Sequence, residues 1–428
     1  MSTGAIDDTR AATQAEARQH LILFDDVRAR SFEPFATSRP LGEMRVGALL
    51  VRERWQLCLN AQASGFVGAL HLAHFEEFDA PPAVPDILPA GAILVNTRAV
   101  PFLDSAIDAS ANAWVIDGRL AGVRLAAPIS VVALEQADAS LESLRTSGKS
   151  VAIGGVWLDE VWDITRHLTA LLQSDIPVLA GLRECAAVRG DQTSARGPVV
   201  LGDHEVWCEV GATVEPFVLF DTTQGPVLIG AGSVVQGFTR VVGPCYIGRN
   251  STVMADRIAG SSIGDSCRVH GELSTTAMIG HANKGHDGFV GHSIIGRWVN
   301  LGAGTITSNL KNTYGGVALW TPAGVRDTGL QFLGTLFGDH VKTGIGLRLT
   351  TGCVLGAGAN VMDRMPPKAV RPFAWGTNVP YDLFSLEKFL VTAERMMQRR
   401  NVTLEVSQRA CLTAAHARAV ADDRWPSC

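Results

Sequence analysis

The middle of the chain carries a short repeat that few folds can accommodate. Nine pairs of a bulky apolar residue and a following glycine are spaced in a nearly regular way, and their apolar members are Leu201, Ile229, Ile247, Ile263, Ile279, Ile295, Leu301, Phe337 and Leu355. Most of the intervals between these residues are 6, 16, 18 or 36, at or near multiples of six. Six-residue units are typical of a parallel β-helix, in which three short strands and three turns make one coil.

The repeat also predicts how each coil buries its apolar surface. The bulky residue points inward and stacks on its equivalent in the next coil, and the glycine occupies a corner that a Cβ atom would obstruct. One coil cannot bury its own face, so coils are stable only when they stack. Glycine-rich β-hairpins would not keep this register over nine pairs. We therefore expect a parallel β-helix over residues 200–375.

Composition excludes several classes of protein. The chain has 428 residues, 46% of them hydrophobic and 18% charged, as expected of a compact protein of more than one domain. Its net charge of -5 argues against a nucleic-acid surface, and no apolar run reaches the roughly 18 residues of a membrane span. Residues 1–19 lack the apolar core of a secretory signal, so we expect a disordered polar tail and a cytoplasmic protein. The eight cysteines form no C-x-x-C pair, which argues against a zinc site.

One polar segment interrupts the repeat and is the best candidate for chemistry. It reads "GHANKGHDGFVGHSIIGRWVNLGAGTITSN", from Gly280 to Asn309, and contains three of the eleven histidines. Loops that leave a rigid scaffold often carry functional residues.

The part "NKGHDGFVGHSIIGRWVNLGAGTITSN" resembles the acetyltransferase half of the bacterial bifunctional enzymes that make UDP-N-acetylglucosamine. Those enzymes join a glucosamine-1-phosphate N-acetyltransferase to an N-acetylglucosamine-1-phosphate uridylyltransferase. The resemblance implies a left-handed β-helix, homotrimers with active sites between neighbouring coils, and acetyl-CoA as acyl donor. On this match His286 corresponds to the catalytic base of the family. Asn300 corresponds to a sugar-binding asparagine, and Asn309 to an asparagine near the acyl donor.

The residue types suit acyl transfer. Histidine titrates near neutral pH and can take the proton of an amine that attacks a thioester. Lys284 is expected to meet a sugar phosphate, and Gly302 and Gly304 to leave backbone N–H groups open to the cofactor or an oxyanion. Lys311 lies near a lysine of the family and is assigned to the cofactor. The alternative is that His286 merely caps a turn.

Two departures from the family pattern concern the acceptor. Phe289, assigned to the substrate, stands where the family has tyrosine, so a hydroxyl group is missing. The basic pair that precedes the catalytic loop is replaced by residues 274–276, "STT". The loss of the basic pair weakens the case for a phosphorylated acceptor.

Residues 20–183 have a different pattern, with apolar strands predicted at 20–26, 92–97, 113–117 and 129–134. An amphipathic helix is predicted at 45–59. Together they favour an α/β domain with a largely parallel sheet. The segment "LFDDVRARSFEPFATSRPLGEMRVGALLVRERW" resembles predicted bacterial sugar nucleotidyltransferases that carry the same β-helix. This resemblance covers roughly residues 21–400 and implies a nucleotidyltransferase-like domain.

Three residues of this domain are candidates for binding a sugar nucleotide. Arg39 and Arg45 flank a proline turn and the predicted helix start, which suits an anion, although ordinary ion pairs with Glu43 or Asp25 would explain them equally well. Asn96 ends the strand where nucleotidyltransferases usually have an aspartate that holds Mg²⁺. Asp117 and Asp163 are alternatives, but turn or cap positions account for both. The metal ligands are therefore unassigned.

The remaining segments complete the predicted organisation. Residues 184–199 are polar and predicted to be a linker. Residues 376–428 are predicted to be helical from 381 onwards, with Leu383, Leu386, Leu390 and Met397 on one face, packed on the last coils or on a neighbouring subunit.

These features predict a cytoplasmic transferase of sugar-nucleotide metabolism. It would move an acetyl group from acetyl-CoA to an amino sugar or its phosphate. Nucleotidyl transfer to a sugar-1-phosphate, with Mg²⁺ in the N-terminal domain, is a second activity that the sequence leaves open. The alternative is a non-catalytic trimeric scaffold that binds a nucleotide-sugar and regulates a partner. Both hypotheses imply small-molecule ligands and a homotrimer, with neither nucleic acid nor membrane as partner.

Overall fold

A computed structural model of the protein describes residues 20–105, 107–135, 140–189 and 197–426. The predicted tail, 1–19, and residues 190–196 of the predicted linker lie outside this part. The predicted fold class is confirmed: an α/β domain is followed by a left-handed parallel β-helix and C-terminal helices. None of the helices within the described ranges is long and apolar enough to cross a membrane.

A six-stranded mixed sheet forms the centre of the N-terminal domain. In spatial order its strands are Ser150–Ala152, Ala113–Ile116, Arg119–Arg124, Ile93–Asn96, Leu21–Phe24 and Ala63–Val67. Leu21–Phe24 runs parallel to both of its neighbours, whereas Arg119–Arg124 is antiparallel to both of its own. The sheet is therefore mixed, because a tight turn at Asp117 and Gly118, both with positive φ, folds the chain back on itself.

The shorter elements of this domain complete its two layers. The paired strands are Arg45–Val46 with Leu49–Leu50, Ile87–Leu88 with Ile129–Ser130, and Ala99–Pro101 with Gly155–Trp157. The α-helices are Val51–Leu59, Val131–Glu135, Asp163–Arg166 and Leu168–Leu182, and the 3-10 helices are Ala29–Ser31, Leu41–Glu43, Leu70–Leu72 and Leu141–Leu144.

Two predicted elements of this domain were wrong in part. The helix predicted at 45–59 begins only at Val51, because Gly47, with φ of 66°, turns residues 45–50 into a hairpin. The helix start is fixed by Glu53, whose carboxylate accepts a hydrogen bond from the N–H of Leu50 at 2.8 Å. The strand predicted at 129–134 pairs only over Ile129–Ser130, and the rest is the helix Val131–Glu135.

The β-helix has three faces, each built of parallel strands. The first face is Cys185–Ala187, which is antiparallel to its neighbour, then Val206–Glu209, Val227–Ile229, Cys245–Ile247, Ser262–Asp265, Ala277–Gly280, Ile294–Ile295, Thr335–Phe337, Cys353–Leu355 and Ala369–Val370. The second face is Val199–Leu201, Leu219–Asp221, Thr239–Val242, Asp256–Ala259, Leu273–Ser274 and Val290–Gly291, followed by the pair Ile306–Thr307 and Arg348–Leu349. The third face is Thr213–Val214, Val234–Val235, Thr252–Met254, Arg268–His270 and Asn283–Lys284, continued through Asn300 to Lys342–Thr343, Asn360–Val361, Ala374–Gly376 and Asp382–Leu383, which is antiparallel to its neighbour.

The predicted apolar column is present on the first face. Its members stack in register from coil to coil and are Ile229, Ile247, Ile263, Met278, Ile295, Phe337, Leu355 and Val370. Met278 occupies the position expected for Ile279, which faces the N-terminal domain instead. Leu201, at the start of the second face, is exposed, and Leu301 is buried at the third face rather than the first.

The N-terminal domain packs against the outer side of the first face. Leu171 and Leu172 share one buried apolar cluster with Leu228 and Tyr246 of the coils. A hairpin, Ala318–Thr321 and Gly324–Asp327, projects between two coils. The Arg326 guanidinium of this hairpin forms an ion pair of 2.5 Å with Glu160 of the N-terminal domain.

The C-terminal segment packs on the coils as expected, but it is not one helix. It forms the helices Leu386–Gln398 and Val406–Ala421, separated where Asn401 takes a positive φ of 57°. The Phe389 ring packs edge-on against Phe373 of the last coils, at 4.9 Å between ring centres. Leu383 lies in a short strand and is exposed, so it does not belong to the apolar face of the helix.

The apolar column predicts which aromatic side chains hold the coils together. Phe337→Ala should lower the free energy of unfolding by about 3–5 kcal/mol, because the side chain is fully buried and leaves a cavity between two coils. Phe238→Ala is the matched control, since the Phe238 ring is exposed at a coil corner; its effect should stay below about 1 kcal/mol. Urea unfolding followed by circular dichroism measures both, and equal effects would contradict the stacking.

Candidate functional sites

The loop that contains His286 leaves the β-helix at the corner between the third and second faces. It follows the strand Asn283–Lys284 and precedes Val290–Gly291, and the His286 side chain is exposed. The backbone of the loop rests on the next coil, where the N–H of Gly304 donates to the Asp287 carbonyl at 3.3 Å. The N–H of Thr307 likewise donates to the Phe289 carbonyl at 2.9 Å. The loop therefore presents a histidine to solvent from a supported backbone.

Lys284 anchors this loop from inside the coil. Its strand position pairs with the inward-pointing Val269, so a lysine occupies a place that repeat geometry reserves for an apolar residue. The ammonium group donates to the carbonyl oxygens of His270 at 2.5 Å and His286 at 3.0 Å. Burial lowers the pKa of Lys284 to about 8, although nearby Asp287 acts in the opposite direction. The ammonium group holds the loop rather than facing outward for a sugar phosphate.

Gly302 and Gly304 lie directly beyond the loop, but their N–H groups are engaged. That of Gly302 donates to the Thr343 hydroxyl at 2.9 Å, and that of Gly304 to Asp287. A Cβ atom on Gly302 would lie 2.4 Å from the Gly344 carbonyl oxygen of the next coil. Close stacking of coils therefore accounts for Gly302. The N–H groups of Gly302 and Gly304 are not open to a cofactor or an oxyanion, contrary to the prediction from the sequence, because both already have acceptors.

Phe289 and Asn309 come together on the second face. The Asn309 amide is 2.8 Å from Nδ1 of His292, whose ring stacks on Phe332 at 5.2 Å between centres. A Cβ atom on Gly291 would lie within 3 Å of both the Phe289 ring and the Asn309 amide, so these two side chains share the surface above Gly291. Burial lowers the pKa of His292, which favours its neutral form.

Lys311 follows two residues after Asn309, but its ammonium group donates to the carbonyl of Gly316 within its own loop. That lysine is partly exposed. It lies at the start of the segment that leads to the projecting hairpin. Its assignment to the cofactor remains a prediction.

Asn300 lies on the outer side of the third face. It stacks on Asn283 of the preceding coil, whose amide nitrogen donates to the Asn300 Oδ1 atom at 2.8 Å. Both line a groove of about 90 Å³ between the third face and the end of the helix Leu386–Gln398. Asn283 precedes His286 by three residues, so their Cα atoms lie within roughly 10 Å of each other.

Arg39 and Arg45 do not form an open anion site. The Arg39 guanidinium is buried and binds Asp339 Oδ2 at 2.7 Å and Glu77 Oε2 at 2.9 Å. Arg45 is buried as well; it donates to the Ala48 carbonyl and lies over the Tyr246 ring, 5.5 Å from its centre. Both side chains are therefore engaged at the contact between the N-terminal domain and the β-helix, where their donors bind partners of the same chain.

Asn96 lines a pocket of the N-terminal domain with a volume of about 390 Å³. The pocket opens where the parallel strands Leu21–Phe24 and Ile93–Asn96 end, which is where open α/β sheets usually bind ligands. Arg119 and Trp157 also line it, with the guanidinium 3.9 Å from the centre of the indole ring. An arginine stacked on an aromatic ring offers a flat cationic surface to a ligand.

Asp26, the acidic residue in contact with Asn96, does not fit a divalent metal. The Asp26 carboxylate accepts hydrogen bonds from Arg98 at 2.6 Å, the Asn96 amide at 2.8 Å and the Ala29 N–H at 2.9 Å. Burial alone would raise the pKa of Asp26, but hydrogen bonding to Arg98 and its charge hold the pKa below the usual value. The carboxylate therefore has its counter-charge already, and a metal would have to displace an arginine.

Asp117 and Asp163 have the structural roles weighed against metal binding. Asp117 forms a turn, and Asp163 accepts hydrogen bonds from the N–H groups of Asp159 and Glu160 at 2.9 and 2.8 Å. Across the described ranges, no group of three histidine, cysteine, aspartate or glutamate residues could hold a metal ion.

Sequence reasoning missed residues that follow the strands by one or two positions. Asp26 and Arg98 come just after the strands Leu21–Phe24 and Ile93–Asn96, so the position of each strand end was the available signal. Arg268, Arg399 and Arg400, which line the groove at Asn300, come from distant segments and give no local signal.

Comparison with known proteins agrees with both halves of this architecture. Residues 21–184 match the sugar nucleotidyl transferase family model. The chain is 27% identical to the bifunctional protein GlmU of Synechococcus elongatus over 51% of this chain and 41% of that protein. It is 32% identical to the GlmU protein of Methanococcus vannielii over 28% of each chain.

A third relative is the bifunctional sugar-1-phosphate nucleotidylyltransferase/acetyltransferase of Sulfurisphaera tokodaii, 31% identical over 21% of this chain and 22% of that protein. The matches thus cover less than half of the length of each of these relatives. The chain is similar to bifunctional transferases that combine a nucleotidyl transferase part with an acetyltransferase part.

The anchoring lysine predicts a pH dependence of stability. The pKa of Lys284 is about 8 in the folded protein against 10.5 ordinarily, so the unfolded chain binds more protons between these values. Stability conferred by Lys284 should therefore rise as the pH increases from about 8 to 10.5. The free energy of unfolding of the native protein, relative to that of Lys284→Met, should shift in favour of the lysine over this window.

Urea unfolding of both proteins at several pH values measures this shift. Lys342, whose pKa is also lowered to about 8 by burial, is present in both proteins and cancels in the comparison. A difference that stays constant with pH would show that the Lys284 ammonium group is not held as described.

Proposed function

We propose that the β-helix catalyses transfer of an acetyl group from acetyl-CoA to an amino sugar or its phosphate, with His286 as the general base. The single observation that carries this proposal is the exposed His286 on an anchored loop, within a segment that resembles an acetyltransferase site. The similarity to bifunctional transferases with an acetyltransferase part supports the reaction class.

The geometry suits a base more than a structural histidine. The described contacts give the His286 imidazole no hydrogen bond or ion pair, so it does not cap a turn through its side chain. The loop backbone is instead held by Lys284 and by the coil at Gly304. A base with a supported backbone and a free ring can take the proton of the attacking amine as the new amide bond forms.

The acceptor and donor are expected on opposite sides of this loop. Asn300 and Asn283 offer amide groups for sugar hydroxyls on the third face, and Phe289 and Asn309 lie together on the second face towards the acyl donor. An assembly of three chains, as the family resemblance implies, would place a neighbouring coil against this open side. In this proposal the protein acts in the cytoplasm on sugar-nucleotide precursors, as UDP-N-acetylglucosamine synthesis would require.

His286→Ala tests the assignment of the base. The variant should lower the rate of acetyl transfer by ~10² to 10⁴-fold, the usual range for loss of a general base. His204→Ala is the matched control, because His204 is another exposed histidine of the β-helix, far from the loop in sequence. Release of free CoA from acetyl-CoA, with glucosamine and glucosamine 1-phosphate as acceptors, measures the rate. An unchanged rate in His286→Ala, or equal losses in both variants, would refute the role.

For the N-terminal domain, one observation favours the alternative of binding without turnover. Asp26, the carboxylate in contact with Asn96 in this pocket, is neutralised by Arg98. We infer that the pocket at Asn96 binds a sugar nucleotide through Arg119, Trp157 and Asn96, and that metal-dependent nucleotidyl transfer is absent from it.

This second proposal predicts binding without product. UDP-N-acetylglucosamine should change the tryptophan fluorescence of the native protein, and Arg119→Ala should weaken the response about tenfold or more because a charged group is lost. With UTP, N-acetylglucosamine 1-phosphate and Mg²⁺, no pyrophosphate should form. Pyrophosphate release that disappears in Asp26→Asn would overturn the proposal and make Asp26 a metal ligand.

A further inference from the structure

Three arginines converge on the groove beside Asn300 without acidic partners. Arg268 belongs to the third face, and Arg399 and Arg400 follow the helix Leu386–Gln398, so the cluster joins two separate parts of the chain. In the ranges that the structure describes, these three guanidinium groups form no ion pair with a carboxylate. Arg268 and Arg399 are exposed, whereas Arg400 is half-buried and still lacks a carboxylate partner, unlike the buried Arg39, Arg54 and Arg98.

The positive charges of the three arginines repel one another, and a hydrogen bond to the coil holds Arg400 in place. One guanidinium nitrogen of Arg400 donates to the Ser266 carbonyl at 3.0 Å, which fixes the end of the helix to the coil. Burial lowers the pKa of Arg400, and the positive charge of Arg268 lowers it further. The partial negative charge of a helix C-terminus favours Arg399 and Arg400, but it does not explain Arg268, which comes from the β-helix.

The groove between these side chains has the shape and donors for an oxyanion. Arg268, Asn283 and Asn300 are stacked in register on successive coils, so their side chains line one wall. Because the Asn283 amide donates to Asn300 Oδ1, the Asn300 amide nitrogen remains as a donor towards the groove. The volume of about 90 Å³ holds several water molecules, and hence one tetrahedral oxyanion. Guanidinium groups match phosphate oxygens through paired N–H donors.

We propose that this groove binds a phosphoryl group, and that in the acetyl-transfer reaction it is the phosphate of the acceptor sugar. The phosphate site itself stands on the arginine cluster alone, whereas its role for the acceptor rests on the proposed function of the His286 loop. The groove begins at Asn283, three residues before His286, so a sugar that bridges them places its amine near the base. Arg268, Arg399 and Arg400 then take over from the basic pair that residues 274–276 lack.

Binding of inorganic phosphate to the full chain tests the site. Isothermal titration calorimetry on the native protein, Arg268→Gln and Arg399→Gln should show affinity that falls roughly tenfold to hundredfold in each variant, as expected for loss of a charge-assisted hydrogen bond. Arg395→Gln is the matched control, because Arg395 is an exposed arginine on the same helix that does not line the groove. All three substituted side chains are exposed, so the fold is expected to persist. Equal affinity in all four proteins, or no phosphate binding, would overturn the proposal.

Acceptor kinetics separate this inference from the proposed function. Arg268→Gln should raise KM for glucosamine 1-phosphate about tenfold or more, and by a larger factor than KM for free glucosamine, because only the first acceptor carries a phosphate. If no protein transfers acetyl groups but phosphate binding is lost in the two groove variants, the reaction assignment fails and the phosphate site stands. If the native protein transfers acetyl groups to both acceptors and Arg268→Gln changes neither KM, the acceptor role is refuted.

Discussion

Register between coils is the constraint on which the other features of this protein depend. Each coil lies one strand spacing above the last, about 4.8 Å, so every inward side chain must fit between two fixed neighbours. Gly302 shows how strict this is, because a Cβ atom there would lie 2.4 Å from the backbone of the next coil. Functional polar side chains are therefore confined to corners and to outward positions. Lys284 is the exception, because it lies inside the coil and holds the loop at the corner.

The second organising feature is the ionic contact between the domains. Arg39 and Arg297 both form ion pairs with Glu77, and Arg39 also pairs with Asp339, so four buried charges from the N-terminal domain and the coils neutralise one another. Buried charges that lose a partner are costly, which fixes the domains in one arrangement. Opposite charges hold the pKa of Glu77 at about 2 although burial acts to raise it, so the contact stays ionised at neutral pH.

The sequence predicted repeating structure better than it predicted partners. The column from Ile229 to Val370 follows from local spacing, whereas Met278 replaces Ile279 because that coil is one residue shorter before its corner. Two arginines near a proline turn look the same in a sequence whether they form an open anion site or a buried contact. For Arg39 and Arg45, only their distant partners Asp339 and Tyr246 distinguish the two cases. Asn300 could be singled out from its segment, but its neighbours Arg399 and Arg400 lie about a hundred residues away along the chain.

The N-terminal domain covers the outer side of the first face, and the C-terminal helices cover the corner between that face and the third. Because one of its three faces is covered, the β-helix cannot present all three faces to another copy of the chain. Any self-association through the sheets of the β-helix would therefore have to use the second or the third face. The domain that carries the nucleotidyl transferase-like fold thus also limits, by steric occlusion, how the coils of two chains could meet.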